Sequence, residues 1–229
     1  MTQKFVVERP EENNALQYCR ELEMGNILFF PNGFEALGKL LEPYSKGWQK
    51  GEGFLESKTL NIEASAKTPL HGNRILRIVR NIDPKETLKV VTSLSIDTLI
   101  KKYGESNVPF PSSVGYTLID RIERKMKQKL VSNGIKIALR SPYDVFMFNL
   151  HRFLKKNADF QTTSPKDHWE FPPNSCFAFF ADQVSHIVTG RFTAETLLVP
   201  MHLLLYPEKS PLHILQRLSG RNLVDLECL

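Results

Sequence analysis

With 229 residues, 41% of them hydrophobic and 24% charged, the chain is long enough to bury one well-formed core. Its longest apolar stretches are broken by charge or proline well short of the roughly 20 residues that span a bilayer, and the N-terminal MTQKFVVERP lacks the apolar run of a signal peptide, so a soluble or peripheral protein on the cytoplasmic side is expected. Cys19, Cys176 and Cys228 are widely spaced with no CxxC, which excludes a disulfide framework and a thiolate zinc site, while a formal charge of +5 fits an anionic partner such as a phosphorylated lipid, a membrane surface, nucleic acid or a small acid.

Residues 11–24 place Leu16, Cys19 and Leu22 at helical spacing ahead of Gly25, predicting a helix that stops there. Ile27-Leu28-Phe29-Phe30, bounded by Gly25-Asn26 and Pro31-Asn32-Gly33, predicts a buried strand, and 34–41 a second helix. Residues 47–53 have glycine and lysine but no periodicity and are expected as a loop. It leads into the alternating Leu60-Asn61-Ile62-Glu63-Ala64, which suits a strand. Residues 73–82 alternate apolar and basic groups before Asp83-Pro84, a strand and then a turn, and 88–94 predict another strand.

Residues 96–103 read as helix. A longer amphipathic helix is expected over 115–131, with Leu118, Ile119, Ile122, Met126 and Leu130 on one face and Arg121, Arg124, Lys125, Lys127 and Lys129 on the other. A further helix starts after Ser141-Pro142 and runs to about Lys156, since proline is favoured at the first helical position. Residues 175–181, 184–189 and 193–199 predict three strands separated by turns at Asp182-Gln183 and Gly190-Arg191. Ser210-Pro211 caps a last helix through Leu218. With no repeat, low-complexity tract or linker, residues 1–229 are expected to form a single α+β domain with a central β-structure.

His186 closes Asp182-Gln183-Val184-Ser185-His186, a lone histidine beside a turn that reads as a structural group or a metal ligand. Non-haem oxygenases hold iron with two histidines and a carboxylate on one face, and a histidine and carboxylate two residues apart on a strand point to the same side. Several collinear stretches carry a resemblance: Leu16-Gln17-Tyr18-Cys19-Arg20-Glu21-Leu22-Glu23 through Phe29-Phe30-Pro31; Gly72-Asn73-Arg74-Ile75-Leu76-Arg77-Ile78-Val79-Arg80-Asn81-Ile82-Asp83-Pro84; Ser141-Pro142-Tyr143-Asp144 through Leu150-His151; Phe171-Pro172-Pro173 through His186; and Pro207-Glu208-Lys209-Ser210-Pro211-Leu212. By these the chain resembles the Kdo hydroxylase family, Fe(II)- and 2-oxoglutarate-dependent dioxygenases that hydroxylate the 3-position of Kdo (3-deoxy-D-manno-oct-2-ulosonic acid) in Gram-negative lipopolysaccharide.

The resemblance implies a double-stranded β-helix (jelly-roll, cupin-like) core with flanking helices, Fe(II) and 2-oxoglutarate as cofactors, and a Kdo-containing lipid A precursor as partner. His186 would be the distal metal ligand. The family segment Leu-His-Val-Asp-Ala-Phe aligns with Leu60-Asn61-Ile62-Glu63-Ala64-Ser65, so Asn61 replaces the ligand histidine and Glu63 the aspartate. An amide oxygen is a poorer Fe(II) ligand than imidazole, and the region 44–59 is shorter than its family counterpart. Asn61→His with Glu63→Asp is therefore expected to strengthen Fe(II) binding.

Arg77 is the first candidate for the 2-oxoglutarate carboxylate, followed by Arg74 and Arg191, because a guanidinium pairs with a carboxylate bidentately. The resemblance places His151 near the substrate. The basic face of 121–129 fits peripheral contact with the anionic inner membrane; no nucleic acid is expected, for no aromatic stacking motif accompanies these charges. The alternative is a catalytically inactive relative that binds or scaffolds.

Overall fold

The structure is a computed structural model, and the residues it describes are 2–8, 15–32, 48–55, 59–64, 70–108, 126, 129, 133, 140–201, 205–220 and 223. β1 (Lys4–Val6) pairs in parallel with β2 (Ile27–Phe30), and α1 (Ala15–Glu23) lies between them in the chain. Gly25, at φ 86°, ends α1: its N–H donates to Leu22 and that of Asn26 to Glu21, the paired bonds of a left-handed helix stop. Then follow β3 (Gln49–Leu55), β4 (Arg74–Asn81), β5 (Leu88–Ser95) and α2 (Ile96–Asn107). After them come α3 (Pro142–Lys156), α4 (Ala158–Thr163), β6 (Asp167–Phe171), β7 (Cys176–Phe180), β8 (Val184–Met201) and α5 (Pro211–Ser219).

The sheet order is β1-β2-β7-β4-β8-β5-β6, with β3 also on β8. β8 does most of the joining. Its residues 184–189 pair with β5, 190–196 with β3 and 194–201 with β4, so its 18 residues run on without a break. In a flat sheet, β6 would lie about 19 Å from β7, four strand spacings away. Yet the rings of Phe171 on β6 and Phe177 on β7 stack with centroids 3.9 Å apart, so the sheet folds back over itself.

Alternation on β7 follows from that closure. Phe177 and Phe179 join Val79, Leu88, Val90 and Phe171 in a cluster drawn from opposite ends of the sheet and enclosed between them. Cys176, Ala178 and Phe180 face outward onto Leu22, Leu76 and Val199. A further cluster packs α2, α3 and α5 against Leu60, Ile62 and Ala64.

The expected strands over 27–30, 73–82 and 88–94 and the helices over 96–103 and 142–156 are present, the last with a Ser141–Asp144 capping box. The loop expected over 47–53 is instead β3: its pairing with β8 is supplied by backbone groups distant in sequence, which local periodicity does not report. The turn expected at Gly190-Arg191 is likewise strand, because the chain there hands over from β5 to β3 and β4 without leaving β8. Residues 60–64 form no strand of their own; they join the sheet through a bridge at Asn61 and a bond from the Glu63 N–H to the Ala181 carbonyl. The helix expected over 34–41 lies outside the described residues, as does most of that over 115–131, of which Met126 and Lys129 are helical and exposed.

A buried polar network pins the outer face. Arg74 is fully buried; its Nε donates to Asp182 Oδ2 at 2.7 Å and its Nη2 to Gln183 Oε1 at 2.6 Å, with the guanidinium over the Phe180 ring. Gln183 Nε2 donates to the Glu23 carbonyl, and the Glu23 carboxylate accepts from the backbone N–H groups of Leu205 and Tyr206. Removing one charge leaves the other buried and unpaired. Arg74→Met should therefore cost about 3–5 kcal/mol in urea unfolding, and adding Asp182→Asn should recover part of the loss.

Candidate functional site: an arginine between a carboxylate and a histidine

The residues around Asn61, Arg77 and His186 come together beside Phe179. Asn61 and His186 exchange both backbone hydrogen bonds, at 3.2 and 2.8 Å, so the two residues lie directly opposite. Leu60, Ile62 and Ala64 are committed to the helical core, so the alternation of an extended chain turns Asn61 and Glu63 to the other side. On β8, Val184 and Val188 belong to the enclosed cluster, and His186 between them shares their face. On β4, Arg77 pairs with Phe179, whose ring meets the His186 imidazole edge-on at 4.8 Å.

One guanidinium joins the two functional groups. Arg77 Nη2 lies 3.2 Å from Glu63 Oε2, and Arg77 Nη1 lies 3.1 Å from His186 Nε2. His186 Nδ1 is 3.0 Å from the Val184 carbonyl, to which it donates; Nε2 is then the acceptor facing Arg77. Burial, and next the Arg77 charge, push the His186 pKa down to about 4, against the smaller pull of the Val184 carbonyl and Glu63. The imidazole is neutral at neutral pH.

The segment carrying Asn61 and Glu63 is held from behind. His151 Nδ1 on α3 donates to the Ile62 carbonyl at 2.6 Å, and Gln161 on α4 exchanges bonds with the Leu60 backbone at 2.8 and 2.9 Å. Asn61 Nδ2 donates to the Thr59 carbonyl. The role of Gln161 was not visible in the sequence, where α4 has no helical signal.

Of the residues singled out from sequence, Asn61, Glu63, Arg77 and His186 come together, and His151 supports them. Arg74 is not available to a ligand, since its guanidinium is enclosed on the opposite face of β4 with Asp182 and Gln183. Arg191 lies on β8 opposite Phe54, and its side chain is outside the described residues. His71 sits beside Asp144 and His168 is exposed on β6, so neither joins His186 at this site.

All the residues of this site fall within the segment 48–222, which matches the sequence model of the 3-deoxy-D-manno-oct-2-ulosonic acid (Kdo) hydroxylase family. The chain belongs to the Kdo hydroxylase family. The fold agrees: the Kdo hydroxylase KdoO, a non-heme Fe(II) alphaketoglutarate-dependent dioxygenase solved with succinate and Fe(III), superposes with a TM-score of 0.74 at 21% identity, covering 100% of this chain and 99% of that one. The same enzyme with alphaketoglutarate and Fe(III) gives 0.71 at 21% identity, covering 97% of each chain. Its apo structure gives 0.71 at 22% identity, with the same coverage. No curated protein matches the sequence.

KdoO is an Fe(II)-dependent dioxygenase, and that ion sets what the donors here would have to supply. Iron in such a site needs the imidazole lone pair and a carboxylate oxygen. Here both are engaged by a guanidinium that stays charged. Asn61 offers a neutral amide, and no group of three His, Cys, Asp or Glu side chains that could hold a metal occurs among the described residues. As arranged, these residues do not fit Fe(II).

The depressed His186 pKa gives a testable pH dependence. Unfolded, this histidine takes up a proton near its ordinary 6.5, whereas folded it does so only near 4, so stability falls as pH drops through that window and levels off below it. Between pH 7.5 and 4.5 the folded protein should lose roughly 2–3 kcal/mol more than a His186→Gln variant in paired denaturation series. Parallel slopes would count against a buried neutral imidazole.

Proposed function

We propose that this protein recognises the Kdo of lipid A–Kdo precursors of lipopolysaccharide through Arg77, without a working iron centre. Family membership supports the substrate class. The arginine bridge between Glu63 and His186 carries the rest of the reading. Kdo is a sugar acid, and its carboxylate is a natural partner for the guanidinium of a half-buried arginine. Glu63 is then the internal competitor that occupies Arg77 until the sugar arrives. His151 and Gln161 position the Asn61–Glu63 segment behind it.

The second reading is that of an active Kdo 3-hydroxylase with a degenerate Asn-x-Glu motif. The convergence of Glu63 and a neutral His186 favours it, for these would be its retained ligands, with Arg77 or Arg191 on the 2-oxoglutarate carboxylate. Both readings use one domain over 1–229, whose closed sheet we read as a double-stranded β-helix. Both place the protein on the cytoplasmic side, with the basic face of 121–129 available to an anionic membrane. No helix among the described residues is long and apolar enough to cross one.

Calorimetry with a Kdo–lipid A precursor, run beside an assay of succinate release with Fe(II) and 2-oxoglutarate, separates the readings. Binding without turnover is expected. Arg77→Gln should weaken that binding by about 10–100-fold, the worth of a charge-assisted hydrogen bond pair. Sugar-dependent succinate release would establish the hydroxylase instead, and absence of binding would remove the substrate class from both.

A further inference from the structure

We propose that Arg77 stands in for the metal: its guanidinium is a built-in cation that links Glu63 to His186 and keeps a divalent ion from entering between them. The inference rests on reading Glu63 and His186 as the counterparts of the family's metal ligands, and it concerns what holds the site together, not which sugar the site takes.

The geometry uses up the ligands. Two nitrogens of one planar fork sit 3.2 Å from Glu63 Oε2 and 3.1 Å from His186 Nε2. A divalent transition metal would need those atoms at about 2.0–2.2 Å. The ion would then stand against a guanidinium that cannot shed its proton, and the two like charges repel. Metal entry therefore requires Arg77 to leave.

The surroundings oppose that departure. Arg77 Nε is buried at the base of the side chain, so the guanidinium leaves the site only by turning about a stem that is itself enclosed. Its β4 neighbours on the same face, Ile75 and Val79, are buried, and Phe179 lies directly across on β7.

The charges point the same way. The carboxylate is paired with the guanidinium, and the imidazole, whose Nδ1 donates to the Val184 carbonyl, turns its acceptor Nε2 to the same guanidinium, so the site has no unmet demand for a cation. Replacing Asn61 by histidine and Glu63 by aspartate restores the family's ligand types without removing the cation already in place. The expectation that those two changes alone bring back metal is thereby revised: the guanidinium has to go as well.

The linkage also does structural work of the kind a metal does. Residues 59–64 are tied to the sheet through the backbone at Asn61 and by the Glu63 N–H, which donates to the Ala181 carbonyl, and the guanidinium adds a side-chain tie from Glu63 to β4 and β8. The fold can keep this segment docked without any ion.

Cobalt(II) titrations followed by visible absorption test the proposal on wild type, Asn61→His/Glu63→Asp, and the same pair combined with Arg77→Met. Wild type and the double variant should show no saturable one-to-one band, while the triple variant should bind at least 100-fold more tightly than the double. Equal affinity of double and triple, or a folded triple variant that still takes no cobalt, would overturn the assignment to Arg77. Thermal melting of the unaltered protein with cobalt(II) or with EDTA gives a readout that needs no variant to fold. Equal melting temperatures are expected, and a rise saturating at one equivalent of cobalt would sink the idea. Binding of the Kdo precursor to metal-free wild type is scored separately, so either result can fail alone.

Discussion

Everything at the site depends on the backbone pairing of β8, whose 18 residues satisfy groups on three other strands. An unpaired backbone group in the interior costs as much as a lost hydrogen bond, so a strand that changes partners along its length fixes where all of them lie. The pairing with β5 sets His186 opposite Thr92, and on its other side His186 bonds to Asn61. The pairing with β4 sets Arg77 opposite Leu198. These two positions lie far apart along β8, so the histidine and the arginine meet only because the sheet folds back, across Phe179 of β7, which pairs with Arg77 and meets the imidazole edge-on; the cluster of Phe171, Phe177 and Phe179 supplies the apolar wall beside them.

That desolvation decides the chemistry. An exposed histidine near an arginine would titrate close to its ordinary value, but His186 is enclosed and its Nδ1 proton is pinned to the Val184 carbonyl. Its Nε2 lone pair is consequently always available, which is what a metal or a hydrogen-bond donor requires. Arg77 takes it as donor. The same guanidinium pairs with Glu63, whose carboxylate is partly buried.

The sequence made visible those elements whose signals are local. Proline after Ser141 marked the start of α3, and the alternation from Arg74 onward marked β4. β3 and the unbroken run through Gly190 stayed hidden because their stability comes from pairing with residues more than 100 positions away, as in Gly51 with Ala194. Arg74 and Arg77 illustrate a signal that was present but not used. Three positions apart on a strand, they must point to opposite faces. Arg74 shares the face of Leu76 and Ile78, packed on Phe180, while Arg77 faces the enclosed side. Family motifs disclosed Asn61, Glu63 and His186 as a set. What they could not disclose was that a basic residue of the next strand reaches into the middle of it.

A family defined by a metal reaction can lose the metal and keep the fold only if the stranded charges find new partners. Asn61 offers an amide and no imidazole, while the enclosed imidazole of His186 against Phe179 and the partly buried Glu63 each need a partner. An arginine already on the enclosed face of β4 satisfies both at once, with one planar group whose two donors diverge toward different acceptors. With that bridge in place, a divalent ion between the two acceptors would meet a fixed positive charge. The same bridge can open to an acidic ligand, because a sugar carboxylate offers Arg77 what Glu63 offers it and arrives with contacts of its own.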